Sequence, residues 1–124
     1  TCGNCEYCKQ GREHLCPDRS ILGMSKPIKR EGGLAEYVSI PDKNIYEIPN
    51  GLDTKEAAVA EPTAVSLHAV LLGEQTLKKP LSECRVLIQG GGAIGLLCGL
   101  ILAKEKNCKD IILSDPNYFY FYFF

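Results

Sequence analysis

The 124 residues suffice for one domain with a core of its own and fall short of two complete ones. A formal net charge of −1 and a pI near 6.1, without a basic stripe, argue against nucleic acid as the main partner. No run of about 18 apolar residues is present, so no membrane span is expected, and no secretory leader opens the chain. The start itself reads as internal, because Cys2 opens a motif with only Thr1 before it.

Residues 1–17 form a loop-rich lobe with few core-forming side chains and four cysteines. Leu34 to Ile40 alternates and is predicted to be a strand, entered through Gly32-Gly33 and closed by Pro41-Asp42. Ile45 to Ile48 is predicted as a second short strand ahead of Pro49-Asn50-Gly51. Asp53 with Glu56 is a capping box, and the helix it starts should end or kink near Glu61, because Pro62 follows. Pro62 can open a new helix to about Leu72, with Val65, His68, Ala69 and Leu72 on its inner face. After a connector at Lys78-Lys79-Pro80, Arg85 to Gln89 reads as a buried strand. A glycine turn, an apolar helix over 93–105 and a strand over 110–114 follow. Strand, helix and strand in that order imply a parallel unit. The tail from Tyr118 to Phe124 contains only Tyr and Phe and is not expected to be native structure.

Seven cysteines are an odd number, and four of them crowd into the first sixteen positions. That distribution does not resemble a disulfide framework and suits a metal in a reducing cytoplasm. Cys2, Cys5, Cys8 and Cys16 are spaced C-x₂-C-x₂-C-x₇-C. Short gaps let one turn present successive sulfurs to one ion, and the longer gap lets the loop return, with Gly3 and Gly11 permitting the tight backbone. Four thiolates fill a zinc tetrahedron and leave no position for water, so such a site is structural. An iron–sulfur cluster or reactive thiols remain the alternatives, and His14 is the one candidate to replace a sulfur. Cys84, Cys98 and Cys108 sit among apolar residues and read as small core side chains.

Gly90, Gly92 and Gly95 form G-x-G-x-x-G, with Ala93 and Ile94 between the last two glycines. The pattern follows a strand and opens a helix, and Asp115 lies 20 positions beyond Gly95 at the end of the next strand. In such a fingerprint Gly90 makes the turn, Gly92 lets the backbone approach a pyrophosphate, and Gly95 permits close helix packing. The helix N-terminus stabilises phosphate, and the Asp115 carboxylate accepts from ribose hydroxyls and repels a 2′-phosphate, favouring NAD over NADP. A glycine-rich helix start with an unrelated Asp is the bland alternative. Glu61 has two readings as well: a carboxylate favoured at a helix N-terminus, or one aimed at a metal or its water.

The four-cysteine loop, the Gly33-Leu34-Ala35-Glu36-Tyr37-Val38 strand, Ala60-Glu61-Pro62 before a helix and the nucleotide fingerprint occur in that order. Together they resemble the medium-chain zinc-dependent alcohol dehydrogenase family over residues 1 to about 117. The resemblance implies an α/β plus β architecture. Residues 1–78 would be the later part of a GroES-like catalytic barrel with its structural zinc lobe, and 79–117 the start of a Rossmann NAD-binding domain. It implies hydride transfer from an alcohol to NAD at a second, catalytic zinc, whose Cys and His ligands lie upstream of the lobe in the family. Ala60-Glu61-Pro62 is similar to the sorbitol, polyol-acid and threonine dehydrogenase branch, in which this glutamate binds the zinc or its water. The chain is therefore expected to be part of a longer enzyme, inactive alone, with a small-molecule alcohol substrate, and a dimer or tetramer when full length. The competing readings are a non-catalytic zinc-binding module, a zinc-free reductase relative and an NADP-dependent relative.

Overall fold

The structure, a computed structural model, describes residues 1–116. The aromatic tail lies outside the described residues. The chain divides into two compact units, Thr1–Glu47 and the part from Ile48 onward.

The first unit holds the cysteine lobe. Helix α1 (Glu6–Lys9) is a single turn, and Glu13–Leu15 forms a 3-10 turn that returns the chain to Cys16. Gly3 and Gly11 take φ of +73° and +71°, the left-handed region that side chains disfavour. Of the 22 large hydrophobic side chains left exposed in the described chain, several of the most exposed fall in 34–46: Leu34 at 105%, Tyr37 at 91% and Tyr46 at 88% of full exposure. These values go with a correction. Neither 34–40 nor 45–48 is a strand; both run without ladder partners, apart from a 3-10 turn at Asp42–Asn44 between them. Alternation creates a face for a sheet, but a strand exists only where a neighbour accepts its hydrogen bonds. Among the described residues of this unit the sole bridge is an isolated parallel one, Ser20 with Ile28.

The second unit begins with helix α2 (Thr54–Ala57). The Asp53 side chain accepts from the Glu56 N–H at 2.8 Å, and Glu56 Oε2 accepts from the Asp53 N–H at 3.1 Å. Helix α3 (Ala60–Thr76) follows. The break thus comes at 58–59, ahead of Glu61, and Pro62 occupies the third position of α3. Its missing N–H costs nothing in a first turn, where no intrahelical acceptor exists. The face of α3 also differs from expectation: Ser66 and Val70 are buried, while Val65, His68, Ala69 and Leu72 are exposed. Apolar residues surround much of this helix, so periodicity alone could not choose its inner side.

Strand β1 (Arg85–Gln89) and strand β2 (Asp110–Ser114) pair in parallel, Arg85 opposite Asp110 through Gln89 opposite Ser114. Helix α4 (Ala93–Lys104) makes the crossover. The core gathers Val70, Leu81, Cys84, Ile101, Leu102 and Cys108, with Val86, Ile88, Cys98 and Ile111 packed against it. The expected buried strand is only half-buried: Val86 and Ile88 are partly covered while Leu87 is 58% exposed, because helices cover one side of the two-stranded sheet. Cys84 and Cys108 are core thiols, as their apolar neighbours in sequence suggest. A partly buried ion pair, Lys106 Nζ to Glu74 Oε2 at 2.6 Å, ties α3 to the segment after α4. No helix of the described residues is long and apolar enough to cross a membrane.

Candidate metal centre and glycine turn

Each unit presents one candidate site. In the first, the Sγ atoms of Cys2, Cys5, Cys8 and Cys16 all lie within 4.8 Å of one another. A zinc ion bound by four thiolates at about 2.3 Å needs sulfurs roughly 3.8 Å apart, so the quartet is already near the required size. Cys16 Sγ and Cys2 Sγ are 3.6 Å apart. Cys16 is fully buried and the other three are half-buried. The lobe's backbone already serves these sulfurs: the Cys2 N–H donates to Cys16 Sγ and the Cys5 N–H to Cys2 Sγ, each at 3.4 Å. Backbone donation from Asn4, then from Cys5, holds the Cys2 thiol down at about 6. Loss of water around Cys8, with a second contribution from the Cys5 side chain, pushes its thiol up to about 11. The cage fits a tetrahedral thiophilic ion by number, spacing and donor type. His14 is exposed and is not a member of it.

In the second unit, Gly90 takes φ of +105° and its N–H donates to Ser114 O at 2.7 Å, so β1 leaves the sheet in a left-handed turn. Gly92 caps α4. A Cβ on Gly95 would stand 1.9 Å from Gly90 O, so the helix can begin this close to the turn only with glycine there. A Cβ on Gly92 would meet nothing within 4 Å. The protein itself leaves that position open, and the first N–H groups of α4, those of Ala93, Ile94 and Gly95, lack intrahelical acceptors. Backbone donors at a helix N-terminus beside open space can hold a phosphate. Asp115 follows β2 directly, half-buried, and its Oδ2 accepts from the Gly91 N–H at 2.6 Å. The structure therefore brings Gly90, Gly92, Gly95 and Asp115 together around one turn.

Glu61 is exposed in the first turn of α3. Among the described residues the cysteine quartet is the only group of three or more metal-ligating side chains close enough to share an ion. One carboxylate is not a metal site, and the described residues give Glu61 no companions for that role.

Two features were not visible in the sequence. Ser66 is fully buried between α3 and α4; its Oγ donates to Pro62 O at 2.8 Å and lies 3.4 Å from Ile94 O. A hydroxyl bonded to the carbonyl four residues back is a common helical habit, so nothing marked this one as a seam residue. The second is the Gly91–Asp115 bond, because the fingerprint pattern assigns Asp115 to the ligand alone.

The alcohol dehydrogenase GroES-like domain family matches residues 1–50. An L-threonine 3-dehydrogenase of Marinomonas sp. (strain MWYL1) is 36% identical over 96% of this chain and 32% of its own length. That of Pyrococcus horikoshii is 34% identical over 95% of this chain and 31% of its own. An uncharacterized zinc-type alcohol dehydrogenase-like protein of Escherichia coli (strain K12) is 36% identical over 90% of this chain and 31% of its own. The chain thus spans about a third of the length of the curated relatives it matches. A crystal structure of an alcohol dehydrogenase from E. coli CFT073, complexed with NADH, superposes with a TM-score of 0.80 at 30% identity. It does so over 94% of this chain and 32% of that one. That protein is named a short chain alcohol dehydrogenase.

Proposed function

We propose that the chain belongs to the medium-chain zinc-dependent alcohol dehydrogenase family, to which its matches point, and that its full-length protein oxidises a secondary alcohol with NAD as hydride acceptor. The substrate class is a polyol, a sugar acid or a hydroxy amino acid, and the relatives named for L-threonine favour the last. Residues 1–78 are read as part of the catalytic domain and 79–117 as the opening of the Rossmann domain. The supporting observation is that the GroES-like match ends at residue 50 and a strand, a glycine turn, a helix and a parallel strand follow in the same chain.

Each residue then has a task. Cys2, Cys5, Cys8 and Cys16 would hold a structural zinc, which supplies rigidity to the lobe and no chemistry. The turn at Gly90–Gly92 and the N–H groups of Ala93 and Ile94 would hold the pyrophosphate of NAD, and Asp115 would meet the adenosine ribose. NAD held there would supply the hydride acceptor. Glu61 is assigned, by family likeness, as a ligand of a catalytic zinc or a partner of its water; its companions are not among the described residues, so no step is routed through it. A reducing cytoplasm suits seven cysteines without a disulfide, and a homo-oligomer is the expected assembly.

The test is a steady-state assay of the full-length protein with L-threonine, sorbitol and a sugar acid, each with NAD and with NADP. Turnover with NAD at least about tenfold above NADP supports the reading, since a carboxylate beside the ribose repels a 2′-phosphate. Turnover of none of the three classes, or a preference for NADP, overturns it.

A further inference from the structure

The Gly91–Asp115 bond gives Asp115 a second task. The backbone N–H groups of a phosphate-binding turn are useful only if they already point outward when the ligand arrives, because ordering them on binding subtracts from affinity. Three glycines in a row are the least suited of all sequences to hold such a shape unaided. Among the described residues, two bonds restrain this one. The Gly90 N–H is bound to Ser114 O at 2.7 Å, an extension of the strand pairing. The Gly91 N–H is bound to Asp115 Oδ2 at 2.6 Å, and this bond alone comes from a side chain. A charged acceptor on the N–H of a buried glycine makes a strong hydrogen bond. Gly92 and α4 follow at once, so fixing Gly90 and Gly91 fixes the direction in which the helix begins.

We infer that Asp115 is a positioning residue for the pyrophosphate turn, holding Gly91 in place before any cofactor binds, in addition to whatever it does at the ribose. The inference rests on reading the turn as a dinucleotide site. Its consequence is that Asp115 serves affinity for NAD and NADP alike through its hydrogen-bond acceptor, and separates them through its charge. Asparagine keeps an acceptor and loses the charge; alanine loses both.

The experiment uses the full-length protein and its Asp115→Asn and Asp115→Ala variants. Hydrogen exchange of the peptide spanning 86–96 is followed without cofactor, and NADH and NADPH dissociation constants are measured by fluorescence titration. Asp115→Ala should speed exchange at the turn by about tenfold, the loss of one charge-assisted bond, and weaken NADH and NADPH together. Asp115→Asn should keep near-native exchange while narrowing the gap between the two cofactors. Unchanged exchange in a folded Asp115→Ala protein, with NADPH binding gained as NADH binding falls, would show that Asp115 serves the ribose alone. Melting temperatures identify a variant that has unfolded; if Asp115→Ala has, Asp115→Leu, which also lacks an acceptor but fills the space, takes its place with the same two outcomes. If the unaltered protein bound neither cofactor, the dinucleotide reading would fail, while the exchange arm would still report whether Asp115 holds the turn.

Discussion

Cys8 is a sulfur that resists giving up its proton, and that resistance bears on how the lobe would take up metal. A thiol pushed up to about 11 is protonated at neutral pH, whereas Cys2, held at about 6, is mostly thiolate there. Zinc binds thiolate, so occupancy must displace the Cys8 proton. The direction follows: each rise in pH from 6 toward 9 removes part of that cost, and affinity should climb. Competition titrations with a chromophoric chelator at several pH values should show tighter binding at the alkaline end; a flat profile would mean that no proton leaves. Cys16→Ser, at the fully buried corner, should lower zinc affinity by more than about 100-fold, read by metal analysis of the purified full-length protein. At the other site, Gly95→Ala places a methyl 1.9 Å from Gly90 O. Backbone must move to admit it, at a cost of about 3 kcal/mol or more by denaturant unfolding, with loss of NADH binding.

Among elements, α3 and α4 carry most of the second unit's order. Asp53→Ala removes the cap of α2 and should cost about 1 kcal/mol in a denaturant titration. The effect on α3 should be small, since two residues outside any helix separate them. How far the sequence predicts these elements depends on where each one's hydrogen bonds go. β1, α4 and β2 fall within a residue of expectation because strand, turn and helix signals agree locally. The capping box holds for the same reason. The strands expected at 34–40 and 45–48 fail because a strand's acceptor lies in another segment, and alternation in Leu34–Ile40 says nothing about whether that segment is present. The inner face of α3 was misread because burial of Ser66 depends on α4, which sequence spacing cannot place. In the sites, the cysteine spacing and the glycine pattern are legible since both are local; the Gly91–Asp115 bond spans strand, helix and strand.

For the molecule as a whole, the two units are held by different means. Thr1–Glu47 has almost no buried apolar side chain besides Cys16 among its described residues, while the core cluster belongs entirely to the second unit. Without a core to fall back on, the lobe should depend on an ion held by its four cysteines. Chelation of the full-length protein should therefore raise amide exchange across 1–20 by orders of magnitude and leave 85–114 nearly as protected as before. Equal loosening of both segments would contradict separate sources of stability. The second unit also contains a joint worth following to its end. Ser66 sits with no exposed surface between α3, which starts beside Glu61, and the first turn of α4, which starts at the glycine turn. Serine is small enough for the two helices to close on it. A larger residue there would act as a shim, forcing α3 and α4 apart while leaving Glu61 and the glycine turn chemically intact. How closely the two helices approach at this point is thus limited by the thickness of one side chain.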